Sequence, residues 1–129
     1  MDIFADIVLS NPSKVEISAI PVRAMAGTGA LMLCLPERIA IQLDLQTEFS
    51  REVTAADGRS MTVPYAGPVK IVFENRMCFV GALVMGDEVL LGAVPMEDMD
   101  LILRPSLEKI TVNPASPNLP RAKVKYLEV

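Results

Sequence analysis

Length, composition and charge already exclude several classes of protein. The chain has 129 residues, of which 51% are hydrophobic and 22% are charged, so we expect one compact domain with a buried core rather than a disordered chain. It has no histidine and a net charge of -4, which excludes Ser-His and Cys-His nucleophile pairs and most catalytic zinc sites, and argues against a nucleic-acid partner.

The first part of the chain predicts strands and one short helix. Segment 3–9 is strand-like, and residues 14–20 alternate polar and apolar side chains, so the turn-forming residues 11–13 would join two strands of a hairpin. A continuous apolar run at 31–35 predicts a strand that is buried on both faces. Proline followed by glutamate at the start of 36–43 predicts a short helix.

The middle of the chain predicts a β-hairpin. Residues 48–55 have extended character, and the Asp57-Gly58 pair that follows is a strong short-range signal of a hairpin turn. Segments 61–63 and 69–73 are predicted to be separate strands, because two prolines interrupt the pattern between them and suit an edge or a bend.

The last part continues the pattern of short strands. The residues at 113–120 are rich in proline and are predicted to form extended surface chain. The spacing of about ten residues between strands is typical of a sandwich or barrel, so the domain is predicted to be mainly β. The other predicted elements are a turn (74–76), a strand (77–85), a turn (86–88), a strand (89–91), a second short helix (95–100) and a strand (110–112).

The cysteines and the acidic residues predict no cofactor and no metal. Cys34 and Cys78 both lie among apolar neighbours, so we interpret them as buried core thiols in a reducing compartment. Glu97, Asp98 and Asp100 lack the regular spacing of a calcium loop, and we expect Asp98 and Asp100 to favour the dipole at a helix start.

One basic cluster lies near the C-terminus, at Arg121, Lys123 and Lys125. A solvated strand face or tail explains such a cluster better than a polyanion site in an acidic chain. We therefore expect no nucleic-acid partner.

The N-terminal residues predict a cytoplasmic protein. Asp2 and Asp6 lie where a secretory signal would carry basic residues. The longest uncharged apolar stretch, 24–36, contains two glycines and falls short of the ~20 residues that span a bilayer. We expect no membrane partner.

Four segments resemble the retropepsin-like aspartic peptidases, in the family's order and spacing. The sequence Ala-Gly-Thr-Gly-Ala at 26–30 resembles their active-site turn, in which the motif is Asp-Thr-Gly-Ala. Residues 54–59 resemble the flap hairpin of the small bacterial members, 90–93 the apolar-apolar-Gly signature of the second half, and 95–101 the helix after it. The resemblance covers about residues 15–125.

The resemblance implies a closed retropepsin-like barrel with one or two short helices, over a single domain at 1–129 with a Pro-rich, basic C-terminal extension at 113–129. It also implies an aspartic endopeptidase that is a homodimer, because each chain supplies one aspartate of a catalytic pair. Two such carboxylates share a proton, since like charges so close cannot both ionise. One activates water while the other protonates the peptide carbonyl.

The same resemblance assigns roles to single residues. Thr28 would brace the two loops across the dimer axis, and Gly29 would let backbone and substrate come close. An extended peptide would be held under the hairpin as an added strand. The residues expected to contact it are Ala30, Ala56, Asp57, Gly58 and Arg59.

This chain departs from the family at the position of the catalytic aspartate, which is Gly27. The predicted catalytic turn is therefore Gly27, Thr28 and Gly29, and it carries neither an acid nor a base, so we expect no peptidase activity. Asp57 is better explained by turn chemistry than as a substitute.

Two questions stay open at this point. An introduced change, a naturally degenerate copy and a crystallised variant all fit Gly27, and the intact surroundings favour an altered form of an active parent. The alternative functions are a non-catalytic peptide-binding or dimerisation module on the same fold, and a structural β-domain in a larger assembly.

Overall fold

The computed structural model describes residues 2–124, which form a mainly β structure with two short helices. The prediction of a mainly β chain with one or two short helices is thus confirmed. Of the basic cluster predicted near the C-terminus, Lys125 lies outside the described residues. The strands are β1 (Ile3–Ser10), β2 (Ile20–Ala26), β3 (Leu33–Leu35), β4 (Gln46–Thr54), β5 (Ser60–Phe73), β6 (Arg76–Val84), β7 (Leu101–Arg104) and β8 (Lys109–Val112), and the helices are α1 (Glu37–Gln42) and α2 (Ala93–Asp98).

All of these strands belong to one sheet, in the order β3-β6-β5-β1-β8-β7, with β2 paired to β1 and β4 paired to β5. The pairs β1·β8 and β3·β6 are parallel, and the other pairs are antiparallel. The end strands β3 and β7 do not pair with each other, so the sheet is open over residues 2–124, where a closed barrel was expected. The free edge of β3 meets a single residue rather than a strand: the backbone N–H and C=O of Leu90 both bond Cys34 at 3.0 Å, and Leu90 also forms a bridge to Met25 of β2.

The core lies on one face of the long strands, and β1 shows how the sequence builds it. Alternate residues of β1 are buried while their neighbours are half-buried or exposed, as the period of two in a strand requires. Helix α1 begins after Pro36 and adds Ile39, Ala40 and Leu43 to the same core. The helix predicted at 36–43 is thereby confirmed.

The predicted strand at 14–20 is wrong. These residues form turns, and β1 pairs instead with β2, which starts at Ile20. Asn11 fixes the turns: its Oδ1 accepts the Ser13 N–H at 2.9 Å, and its Nδ2 donates to the carbonyls of Leu43 and Asp44 at 2.9 and 3.2 Å. A side chain that bonds the backbone in this way competes with strand pairing.

The segments predicted as separate strands at 61–63 and 69–73 belong to the single strand β5. The strand runs through both prolines because it bends: its register against β6 shifts between Ala66 and Val69, and that of β4 shifts between Gln46 and Phe49. Extra residues in one strand of a pair produce such bends.

The region around α2 also differs from the sequence expectation. The strand predicted at 89–91 is reduced to bridges at Leu90, and β7 was not predicted. Helix α2 begins before Pro95, which places Asp98 in its last turn and Asp100 beyond its end, so neither can favour the dipole at a helix start. None of the described helices is long and apolar enough to cross a bilayer.

Residues 113–121 form what we call the C-terminal strap. Segment 113–120 was expected to be extended surface chain, and most of it is exposed, but Ser116 is buried. Arg76 is 1% exposed and donates from Nη2 to the Ser116 carbonyl. The Asp100 carboxylate accepts hydrogen bonds from Asn113 Nδ2 at 3.1 Å, from Ser116 Oγ and from the Arg121 N–H at 2.9 Å. These long-range contacts bury Ser116, and no local sequence pattern encodes them.

The strap predicts a specific pH and mutation response. Hydrogen bonds from Ser116, Arg121 and Asn113 lower the Asp100 pKa to about 2. Because the folded pKa lies below the ordinary value, the strap contacts are fully stabilising above that value and are lost as the pH falls through about 2. We expect Asp100→Asn to increase amide hydrogen exchange over 114–121 at neutral pH.

The matched control for this prediction is Asp87→Asn, since Asp87 lies in an exposed turn and its side chain accepts no hydrogen bond within residues 2–124. Mass-spectrometric hydrogen exchange compares both variants with the parent chain. Unchanged exchange at the strap in Asp100→Asn would show that Asp100 does not hold it.

Candidate functional site

The candidate site is the exposed loop between β2 and β3 that carries Gly27, Thr28 and Gly29. The two glycines have φ of +72° and +85°, a left-handed conformation that glycine adopts without steric cost. Thr28 Oγ1 accepts the Ala30 N–H at 3.2 Å, which closes the loop on itself. The hydroxyl proton of Thr28 is left to donate to another partner.

A second segment, residues 89–94, holds this loop from both sides. We call it the crossing segment, because it bonds the end of β2 on one side and the chain leading into β3 on the other. The loop is therefore fixed at both of its ends by one distant piece of chain. The backbone hydrogen bonds are Met25 N to Val89 O (2.9 Å), Leu91 N to Met25 O (2.8 Å), Cys34 N to Leu90 O and Leu90 N to Cys34 O (both 3.0 Å), Ala93 N to Ala30 O (3.0 Å) and Val94 N to Leu31 O (2.8 Å).

Gly92 lies at the closest approach of these two segments. A Cβ atom added there would lie 2.3 Å from the Met32 carbonyl oxygen and 2.5 Å from the Leu31 carbonyl carbon. Both atoms belong to the backbone, so they cannot move aside as the end of a side chain would. The crossing therefore requires glycine at this position.

The predicted substrate residues at 56–59 form the tip of the β4–β5 hairpin. The Asp-Gly turn is confirmed: Gly58 has φ of +86°, and the Ala55 N–H donates to the Arg59 carbonyl at 2.8 Å. Asp57 accepts the Arg59 N–H at 3.0 Å and pairs with Arg59 Nε at 2.6 Å. Its carboxylate is engaged within the hairpin, as the turn interpretation predicts.

The base of the hairpin lies against the strand that follows the loop. Val63 is buried with Cys34 and Leu83, and Met32 and Val53 pack against them. One small apolar cluster thus packs residues of the hairpin, Val53 and Val63, against Met32 and Cys34, which follow the loop in the chain. No hydrogen bond of the described residues joins the two groups directly.

Sequence reasoning missed the residue that links the hairpin to the loop. Arg51 on β4 donates from Nη1 to Met32 Sδ at 3.3 Å, and its Cζ lies 4.1 Å from the centre of the Tyr65 ring. The sequence did carry a signal for this residue. Alternate residues of a strand share one face, so Arg51 would lie on the same face as Phe49 and Val53.

The loop itself offers no acid. Among residues 2–124, and apart from its own chain neighbours, the atoms within 4 Å of a Cβ built on Gly27 are the two methyl carbons of Leu103, at 3.5 and 3.8 Å. No carboxylate of the described residues therefore lies within 4 Å of that Cβ to take the place of the one that glycine lacks. The polar groups that the loop can offer to a ligand are its backbone N–H and C=O groups and the Thr28 hydroxyl.

The cysteines do not supply a nucleophile either. Cys34 and Cys78 are 5% and 4% exposed, which confirms that both thiols are buried. Burial raises the pKa of Cys34, and burial together with the charge of Asp98 raises the pKa of Cys78 to about 12. A thiol that stays protonated near neutral pH is a poor nucleophile.

Residues 2–124 contain no group of three or more Cys, Asp or Glu side chains placed to hold a metal ion. In comparisons with known proteins, no protein-family model matches the sequence, and no curated protein matches it significantly.

The crossing predicts different costs for two glycine substitutions. Gly92→Ala forces a Cβ into backbone atoms, and we expect a loss of about 3 kcal/mol in the free energy of unfolding, the upper range of overpacking. The Cβ of Gly29→Ala would lie in open space. Alanine at this position must still adopt the left-handed backbone conformation, which lowers the free energy of unfolding by about 1 kcal/mol. Urea denaturation of both variants measures the difference, and equal losses would contradict the importance of the crossing.

Proposed function

We propose that this chain has a retropepsin-like fold, that it is one subunit of a homodimer, and that the dimer binds an extended peptide between the 27–30 loops and the β4–β5 hairpins. The activity that belongs to such a fold is aspartic endopeptidase, with one carboxylate from each subunit. In this chain Gly27 occupies the position of that carboxylate, so the proposed dimer holds the peptide without hydrolysing it.

The observation that carries this proposal is the crossing of segment 89–94 with the loop. The sequence resemblance rests on the motif at 26–30 and on the apolar-apolar-Gly motif at 90–93, which are far apart in the chain. The backbone bonds from Leu91 and Ala93 bring these two motifs into direct contact. A chance resemblance of two short motifs would give no reason for them to meet.

The geometry of the loop also supports a homodimer. Thr28 and Leu31 are exposed at the end of the sheet, and Leu31 is 65% exposed beside Val94, which is 45% exposed. An apolar pair of this kind on a loop is stabilised when a second copy covers it. A two-fold axis at the loop would bring two copies of Thr28 together, as the family resemblance implies.

The central test restores the carboxylate. We expect Gly27→Asp to cleave peptides that the parent chain leaves intact, across roughly pH 4 to 7, because two aspartates near the axis would share a proton. The matched control is Gly27→Asn, which has the same shape and the same left-handed backbone cost of about 1 kcal/mol but carries no ionisable group. Cleavage of a pooled peptide library is read by mass spectrometry.

Cleavage by the Asp variant alone, blocked by a statine-type inhibitor, would support the peptidase ancestry of the site. If the Asp and Asn variants are both folded dimers and neither cleaves, the endopeptidase part of the proposal fails. Peptide binding by the parent chain, measured separately, then decides whether the groove is a binding site without chemistry.

The dimer has its own prediction. We expect Leu31→Arg to convert the dimer to a monomer, because it places a charge on each side of the proposed axis. The control is Ile41→Arg, since Ile41 is similarly exposed at 67% but belongs to helix α1 rather than to the loop. Sedimentation velocity measures both. A parent chain that sediments as a monomer at all concentrations would contradict the homodimer.

A further inference from the structure

The β4–β5 hairpin has two chemically different faces. Residues directly opposite one another in the register share a face, and the pairs Phe49–Tyr65, Arg51–Val63 and Val53–Met61 lie on the same one. This is the inner face, because Val63 is buried in the cluster with Cys34 and Leu83. The outer face carries the polar pairs Glu52–Thr62 and Thr54–Ser60.

Arg51 is the only charged residue among the six on the inner face. It is exposed, and both of its partners there are uncharged: the Tyr65 ring holds it through its π-electrons and Met32 through a thioether sulfur. A thioether is a weak acceptor, so it does not neutralise a guanidinium.

The acids of this region do not neutralise Arg51. Its neighbour Glu52 points to the outer face, since successive side chains of a strand alternate. The ion pairs of the described residues are Lys14–Asp44 and Arg59–Asp57, and Arg51 belongs to neither. A free cation thus lies on an apolar surface, although the chain as a whole has a net charge of -4.

From these contacts we infer that Arg51 is a specificity-determining residue, which selects an extended peptide with an acidic side chain flanked by apolar residues. The inference rests on the proposed peptide groove. A carboxylate fits because a guanidinium presents several N–H donors in a plane, and two of them can bond both oxygens of one carboxylate. Met61, Val53 and Met32 offer apolar contacts to the residues on either side.

The stacking on Tyr65 also favours this role. An arginine that is already held by a ring and a sulfur atom loses less conformational freedom when a ligand binds. A lysine in the same position would be a point charge without the planar donor geometry.

The test uses fluorescent decapeptides with capped ends, so that no terminal carboxylate is present. One central position is varied among Glu, Gln and Lys between apolar neighbours, and fluorescence anisotropy gives the dissociation constants. We expect the parent chain to prefer Glu over Gln by about fivefold, the upper range for an exposed ion pair. The preference should fall as salt rises and as the pH drops below about 4, where the Glu side chain is protonated.

Three substitutions of Arg51 identify the source of the preference. Arg51→Gln should abolish it, Arg51→Lys should keep part of it, and Arg51→Glu should reverse it toward the Lys peptide. The matched control is Lys109→Gln. Lys109 is an exposed cation on β8, a strand that does not pair with the hairpin, so this substitution should leave the Glu preference unchanged.

The outcomes separate this inference from the proposed function. If the parent chain binds the Glu, Gln and Lys peptides equally, the role of Arg51 is overturned while the peptide groove stands. A Glu preference that survives in Arg51→Gln overturns it as well. If no peptide binds, the groove itself is refuted and the inference fails with it.

Discussion

The close crossing of two backbone segments is the constraint on which the rest of the structure depends. Residues 89–94 bond both ends of the 27–30 loop, and the approach is so tight that only glycine fits at position 92. The same segment bridges Cys34 of β3 and Met25 of β2 through Leu90, so a single residue rather than a paired strand lies between these two strands. A backbone contact of this kind fixes position more firmly than side-chain packing, because the bonded groups have few alternative partners once buried.

The crossing also positions the elements of the proposed site. It places Gly27 and Thr28 at the end of the sheet, with Leu31 and Val94 exposed beside them. The apolar cluster around Val63 then sets the base of the hairpin against the chain that leads into β3. The loop and the hairpin tip have few buried contacts of their own, so their mutual arrangement depends on the rigid parts behind them.

Local signals in the sequence were sufficient for much of the fold. The strand-like segment 3–9, the proline and acid at the start of α1 and the Asp-Gly turn at 57–58 each involve neighbours in the chain, and each prediction agrees with the structure. The predictions were wrong where a residue far away in the chain determines the local structure. Asn11 bonds the carbonyls after α1, and residues 14–20 therefore turn instead of forming a strand. Arg76 and Asp100 draw the C-terminal strap onto the sheet in the same way.

The sequence by itself determined the mainly β class, the short helix α1, the hairpin turn, the burial of the two thiols and the absence of a carboxylate at position 27. These properties follow from residue type and from periodicity over a few positions. Only the tertiary structure decided that segments 26–30 and 90–93 meet, that the sheet of residues 2–124 is open, that the strap is anchored, and that Arg51 lies on the inner face of the hairpin without an ion pair to any of those residues. Each of these depends on contacts between residues far apart in the chain, which composition and spacing do not encode.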